Sequence, residues 1–310
     1  MMFGLDEEFC YAQCAGCGTC RLLDAPVDLG RYYPRDYYSV NLDPERELGR
    51  IGVRQFAAAV GRSRLLGRDL IGRSSVALVR RRQFQTLMSL LRSVHRTGLP
   101  RGPDTRILDV GSGSGVLVYA LSLSGLRDVT GVDPFGGPDR ILDTGARLLN
   151  RELGDVHGDY DLVMFHHSFE HVLDPRLALE LATSLLSPGG RLLVRMPTVS
   201  SEAFERYGPQ WVQFDAPRHI TVFSRAGMDR LAETAGLEVV DTWDDSTSFQ
   251  FWGSEQVVAR VPLESPSSHM VHPAASSFSR EQVAAWDRRA RMNNAAGHGD
   301  QAVWVLRPQG

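Results

Sequence analysis

Ile107-Leu-Asp-Val-Gly-Ser-Gly-Ser-Gly115, running on into Val116, is the stretch whose reading decides the fold. Arg106-Ile-Leu-Asp-Val110 reads as a short buried strand. Gly111, Gly113 and Gly115, with Ser112 between the first two, let the backbone turn sharply and approach a ligand closely. They deliver the chain into an apolar helix from about Val116, whose N-terminal amides can face that ligand. The next strand, residues 129–132, runs into Asp133. An acid in that place can take both hydroxyls of a ribose, as in doubly wound folds. The dinucleotide pattern G-x-G-x-x-G requires glycine at 116, where this chain has Val116.

Outward from the loop, strands and helices alternate. A third strand is weakly signalled at 147–153, a fourth at 160–165 and a fifth at 191–195. A helix at 175–186 stops at Pro188-Gly-Gly190, and another spans 224–236, opened by Ser224 and closed by Gly236. Strands follow at 238–243 and 301–306, with a helix at 280–292 between them. The Ser/Pro-rich stretch 262–279 reads as a mobile loop. This alternation predicts an α/β fold whose parallel sheet is covered on both faces.

Upstream, residues 46–97 show helical spacing at Val76, Val79, Phe84, Leu87, Leu91 and Val94, and residues 98–103 read as a linker. Residues 1–45 form a small head carrying all four cysteines, Cys10, Cys14, Cys17 and Cys20. Three parts are therefore expected: a Cys-rich head at 1–45, a basic helical segment at 46–100 and a catalytic domain at 101–310.

Composition excludes several classes. The 310 residues contain no lysine, so all 34 basic side chains are arginines. A Walker A phosphate loop, a pyridoxal-phosphate Schiff base and a lysine nucleophile are all ruled out. Net charge is −3, yet residues 46–101 hold 13 arginines against Glu47 and Asp69. Such a stretch can meet phosphate or an anionic membrane surface, or can simply be a solvated helical face. No stretch approaches the roughly 18 apolar residues of a membrane span. The opening residues lack the basic-then-apolar order of a signal peptide. Together these readings predict a cytoplasmic protein.

The motif Asp109-x-Gly-x-Gly-x-Gly115 resembles the first motif of class I S-adenosylmethionine (SAM) methyltransferases. The resemblance covers roughly residues 100–307. Tyr160-Asp-Leu-Val-Met-Phe-His-His-Ser-Phe-Glu-His-Val-Leu-Asp-Pro175 is similar to their fourth-strand motif, and Leu186-Ser-Pro-Gly-Gly-Arg-Leu-Leu-Val194 to the approach to their fifth strand. Trp211-Val-Gln-Phe-Asp-Ala-Pro-Arg-His219, followed by Phe223 and Ser224, resembles a subgroup with a D-x-P-R-H segment, as does Arg291-Met-Asn-Asn-Ala-Ala-Gly-His-Gly-Asp-Gln301. The resemblance implies a doubly wound, Rossmann-like sheet of seven strands, mostly parallel with the last antiparallel, behind a small Cys-rich and helical extension. It implies that Asp109, Gly111, Ser112, Gly113 and Gly115 hold the methionine end of SAM. Asp133 would then bind the ribose, Glu152 would flank the adenine, and His166 and His167 would sit at the cofactor's edge.

Two segments imitate other chemistries. His167-Ser-Phe-Glu-His171 matches the zinc-protease pattern H-x-x-E-H, but it follows a buried strand and runs into Asp174-Pro175 rather than along a helix. Cys10-x3-Cys14-x2-Cys17 has radical-SAM spacing, but Gly16 stands where an aromatic residue is usual and no barrel follows. Cys14-Ala-Gly-Cys17-Gly18 reads better as one zinc knuckle, with Cys10 and Cys20 either completing an unusual zinc site or leaving the head metal-free.

If the methyl acceptor is a hydroxyl, a base must receive its proton, and histidine suits that task. His219 and His171 are the candidates, His219 ahead, with Arg218 placed to bind an anion on the acceptor. Asp215, Arg218 and His219 are equally readable as a structural polar network. Trp211, Phe251 and Trp252 fit core or pocket wall. The expected reaction is methyl transfer to a small molecule, first a sugar or glycan hydroxyl or a nucleotide-sugar carbon. A quinone or lipid precursor met at the membrane surface is the alternative. No nucleic-acid pattern appears. The rivals are an NAD-dependent oxidoreductase, opposed by Val116, and a non-catalytic SAM-binding protein, opposed by the intact loop and Asp133.

Overall fold

The structure is a computed structural model and describes residues 7–26, 28–33, 42–49, 54, 82–99 and 102–310. Of the basic helical segment expected at 46–100, residues 50–53, 55–81 and 100 lie outside the described residues, Val76 and Val79 among them. The head contributes β1 (Tyr11–Gln13) and β2 (Cys20–Leu22), followed by the short α1 (Pro44–Leu48) and by α2 (Arg82–Arg96). Then come β3 (Arg106–Val110), α3 (Val116–Leu123), β4 (Asp128–Val132), β5 (Arg140–Ile141), β6 (Arg147–Leu149) and β7 (Tyr160–His166). The chain continues through α4 (Pro175–Ser184), β8 (Leu186–Pro197), α5 (Glu202–Tyr207), β9 (Thr221–Val222) and α6 (Arg225–Thr234). It finishes with β10 (Leu237–Asp244), α7 (Phe249–Val258), α8 (Arg280–Ala296) and β11 (Gln301–Pro308).

The central sheet has the order β10-β11-β8-β7-β3-β4-β6-β5. Strands β8, β7, β3, β4 and β6 run parallel, and β11 lies antiparallel between β8 and β10. Seven strands with the last antiparallel match the expectation. The eighth is β5, two residues antiparallel to β6 at the sheet's edge. A two-residue strand is too short for periodicity to signal it.

Successive side chains of a strand point to opposite faces, so a strand buried on both sides reads as an unbroken apolar run. Ile107, Leu162, Met164, Leu193 and Val303 pack with Leu90 and Leu91 of α2 and with Tyr119 and Leu121 of α3. Their neighbours Leu108, Val163, Phe165, Leu192, Val194 and Trp304 pack on Leu179 of α4 and Met228 of α6. The parallel strands therefore all end at one edge, and the glycine loop lies there.

A third core contains no residue of this sheet. Cys20 of the head, Ala203 of α5, Trp211, Val212, Phe214, Val222 of β9, Trp252 of α7 and Leu263 pack together. Strand β2 pairs with β9, placing Cys20 opposite Val222 and Arg21 opposite Thr221. The stretch 262–279, expected to be a mobile loop, is anchored to this core. The Ser268 side chain is fully buried and accepts a hydrogen bond from Gln256 Nε2 at 2.9 Å, and the His269 ring lies between Trp252 and Phe278. Its polar composition reads as solvated because sequence alone does not show that its hydroxyls meet buried amides.

The head is latched to the start of α6. The Ser224 hydroxyl accepts from Gly227 N at 2.9 Å and donates to Cys17 O at 2.5 Å, while Ser224 N donates to Thr19 Oγ1 at 3.1 Å. Losing this cap should cost about 1–2 kcal/mol. Ser224→Ala is therefore expected to lower the urea-unfolding midpoint without changing the slope. An unshifted midpoint would show that the latch contributes nothing.

Candidate active site

Three segments converge at the carboxyl edge of the sheet: the glycine loop, the exit of β7 and the stretch before β9. The loop is held on β4, with Gly111 N and Ser112 N donating to Val132 O at 2.8 and 3.2 Å. Gly111 has φ +73°, and a Cβ there would lie 2.4 Å from Ser168 Cβ, so no other residue fits. Gly131 is equally confined, since its Cβ would meet Ser112 Oγ at 2.6 Å. Asp133 accepts from Gly113 N and from Phe135 N, both at 2.8 Å, one on each carboxylate oxygen. Each oxygen keeps a second lone pair for a ribose hydroxyl. Asp109 is only 1% exposed, and burial pushes its carboxyl well above the usual range, with the Asp133 charge adding to the shift. Glu152 is exposed beyond the end of β6. The Phe135 ring, 80% exposed beside Asp133, is a flat apolar face that the sequence reading missed. Its place two residues after the strand-end acid was the available signal.

Strand β7 ends at His166 and turns through His167, whose φ of +58° is rare for a side-chain-bearing residue. Burial holds both imidazoles below the usual histidine range, and the Arg195 charge adds to the effect. Arg195 donates to His167 Nε2, to Asp245 Oδ2 at 2.7 Å and to Gln301 Oε1 at 2.6 Å. Ser89 of α2 also donates to Asp245 Oδ2, at 3.0 Å, tying the helical extension to this edge. None of these partners was legible in the sequence.

A 3-10 turn at Phe169–His171 then carries Glu170 into the interior. Glu170 is 0% exposed, and neither oxygen accepts a hydrogen bond. His167 Nδ1 lies 3.4 Å from Glu170 Oε1, and His219 Nε2 lies 3.9 Å from the same atom. The His171 and His219 rings meet edge to face, 4.8 Å between centroids. His171 Nδ1 bonds Arg218 O and His219 Nδ1 bonds Gln213 O, both at 2.8 Å. A carbonyl can only accept, so each neutral ring carries its proton on Nδ1 and keeps the Nε2 lone pair free. Although burial opposes it, the surrounding histidines hold Glu170 down at about 2. Burial lowers His219 to about 4. His171 is half-buried.

Arg218, expected to meet an anion on the acceptor, is 2% exposed; its guanidinium pairs with Asp215 and lies over the Tyr33 ring. Tyr11 of the head donates to His219 O at 2.6 Å and packs on Phe214. No sequence signal links Tyr11 to His219, which lie 208 positions apart. Trp211, Phe251 and Trp252 are buried as core. Among the described residues, no three of Cys10, Cys14, Cys17 and Cys20 bring their sulfurs within 4.8 Å of one another. Cys10 and Cys14 are exposed and Cys20 is buried. Hydrogen bonding, chiefly from Thr19 with Cys14 among the partners, holds the Cys17 thiol below its usual range.

An open parallel sheet with a glycine loop and a strand-end acid at its carboxyl edge defines a Rossmann-like methyltransferase fold. The family described as "Methyltransferase domain" matches residues 79–242, more than half of the chain. The chain belongs to that family and, with it, to the class I SAM-dependent methyltransferase superfamily. Among curated relatives, a ubiquinone biosynthesis O-methyltransferase of Aeromonas salmonicida (strain A449) is 29% identical over 153 residues, covering 44% of this chain and 64% of that protein. The protein of the same description from Bordetella avium (strain 197N) is 35% identical over 96 residues, covering 27% and 39%. The chain thus spans less than two thirds of either relative's length. Solved structures similar to it include the [4+2]-cyclase SpnF, at 16% identity and TM-score 0.46, covering 83% of this chain and 96% of that one. The mycolic acid cyclopropane synthase CmaA1, solved with S-adenosylhomocysteine (SAH), gives 16% identity and TM-score 0.46, covering 71% and 83%.

The stretch before His219 is anchored by Trp211 Nε1, which donates to Asp300 Oδ2 at 3.0 Å. Burial raises the Asp300 carboxyl to about 6 from an ordinary 3.8, so the folded protein holds its proton where the unfolded chain has lost it. The stabilisation is present below pH 4 and is lost as pH rises to about 6, by roughly 3 kcal/mol in all. Unfolding midpoints measured from pH 4 to 7 should show this fall, and Asp300→Asn should remove it. The same fall in the variant would assign it to other groups.

Proposed function

We propose that this protein transfers the methyl group of SAM to a hydroxyl oxygen of a small-molecule acceptor. The observation that carries the proposal is the cluster of His171, His219 and Glu170 beside the glycine loop, in which both rings commit Nδ1 to a carbonyl and leave Nε2 free. In this reading the loop holds the methionine end, Asp133 takes the ribose hydroxyls, and Phe135 and Glu152 flank the adenine. Bound SAM supplies an electrophilic methyl group: the acceptor oxygen forms the new O–C bond as the C–S bond breaks, leaving SAH. His171 Nε2 receives the hydroxyl proton. Burial makes His219 a weak base, so His171 rather than His219 takes this role. Glu170 offsets the positive charge that develops on the His171 ring. Arg218 holds Asp215 in place rather than meeting the acceptor. Zinc, if the head binds it, would engage Cys14 and Cys17.

A sugar or glycan hydroxyl is the first acceptor class, on the strength of the D-x-P-R-H segment. The names of the curated relatives favour a second, the phenolic hydroxyl of a quinone precursor. No helix among the described residues is long and apolar enough to cross a membrane.

Calorimetry with SAM, SAH and NAD should show binding of the two adenosyl ligands alone, abolished by Asp133→Ala. SAH release assayed with glycosides and with catechol-type phenols then distinguishes the acceptor classes, and His171→Gln should reduce kcat by roughly 100-fold or more. NAD binding, or a failure of well-folded protein to bind SAM, would overturn the proposal.

A further inference from the structure

We infer that Glu170, His171 and His219 form a binding site for a divalent metal ion of the zinc class. One potential ligand atom from each lies within 4.8 Å of the others, and this is the one such group of three among the described residues. The site is built rather than incidental. Glu170 is 0% exposed, neither oxygen accepts a hydrogen bond, and the nitrogens near Oε1 are those of His167 and His219, at 3.4 and 3.9 Å; a carboxylate buried in this way favours a cation beside it. Arg218, the nearby guanidinium, is paired with Asp215. His219 Nε2 lies 3.9 Å from Glu170 Oε1, and in both imidazoles Nδ1–H is committed to a backbone carbonyl at 2.8 Å, which leaves Nε2 as the free nitrogen. That second hydrogen bond is what orients a metal-bound histidine and fixes its tautomer.

A further imidazole steadies the carboxylate. Arg195 donates to His167 Nε2, so the neutral His167 ring carries its proton on Nδ1, 3.4 Å from Glu170 Oε1. Two nitrogens and one carboxylate suit zinc-type ions better than magnesium or calcium, which prefer oxygen. Three protein ligands leave a fourth position open, the arrangement of catalytic rather than structural zinc sites. The half-buried His171 lies on the side that solvent reaches.

The use of that open position rests on the function proposed above: it would take the acceptor hydroxyl and lower its pKa. A metal-bound His171 has no lone pair left to act as the base, so with the ion in place the hydroxyl proton passes to water instead, as the O–CH₃ bond forms and the C–S bond of SAM breaks. Metal binding itself does not depend on that reading, and the two can fail separately.

The test is titration of chelator-treated full-length protein with Co²⁺, followed by visible absorption, and with Zn²⁺ by calorimetry. One ion per chain is expected at this site, with the d–d bands of a nitrogen and oxygen donor set. Glu170→Gln and His219→Gln should each weaken binding on the order of 100-fold, with SAM binding and melting temperature retained. Cys14→Ser/Cys17→Ser should leave these bands intact. Absence of cobalt binding overturns the inference. So does binding that shows a thiolate charge-transfer band, survives both Glu170→Gln and His219→Gln, and disappears with the cysteines. Chelated protein that methylates at full rate would overturn the metal's role in activation and leave His171 as the base.

Discussion

The turn from His167 to His171 binds the molecule together, because its five residues must satisfy three neighbours at once. His167 N donates to Arg195 O on β8 at 2.8 Å, and Ser168 Oγ donates to Val110 O at the end of β3 at 2.5 Å. Glu170 O accepts from Ile220 N, and His171 Nδ1 bonds Arg218 O, both at 2.8 Å. Buried backbone groups must find partners, so this turn has little freedom to relax. The left-handed conformation of His167 follows from that demand. The glycine loop, the last parallel strand and the segment before β9 are therefore tied to one another through this turn.

Around this turn the interior carries more charge than its apolar strands suggest. Arg218 with Asp215 and Arg225 with Asp244 each bury at least one partner almost fully, and Arg195 with Asp245 is mostly buried on both sides. Buried pairs of this kind fix geometry more than they add stability, since desolvation offsets much of their attraction. Here they fix the ends of β8 and β10 and the approach to His219. Glu170 differs in that its neighbours are imidazoles rather than a guanidinium.

The head is joined to the same region by a different force. Cys20 and Tyr11 share a core with Phe214 and Val222, and Tyr11 reaches the carbonyl of His219. A few buried apolar side chains contribute about 1.5–3 kcal/mol each, enough to seat a hairpin too small to fold alone. Tyr11 and Cys20 thereby bring the head hairpin up against the segment that carries His219.

Local patterns sufficed for the sheet and its loop. Ile107-Leu108, Leu162–Phe165 and Leu192–Val194 are apolar stretches without alternation, because strand centres buried on both faces leave little room for polar side chains. Gly111 was legible because a positive φ beside Ser168 admits nothing else, and Ser224 because helix starts need a cap. The two-residue β5, the pairing of β2 with β9 and the anchoring of 262–279 depend on partners far along the chain, which no local period encodes. The same holds for the site. Histidines 171 and 219 could be named from the sequence, but tautomer, burial and distance to Glu170 are set by carbonyls from other segments. Sequence alone determined which side chains were available and which backbone shapes they allow. Tertiary structure decided which of them lost their water, and burial is what separates a base, a ligand and a packing group among identical imidazoles.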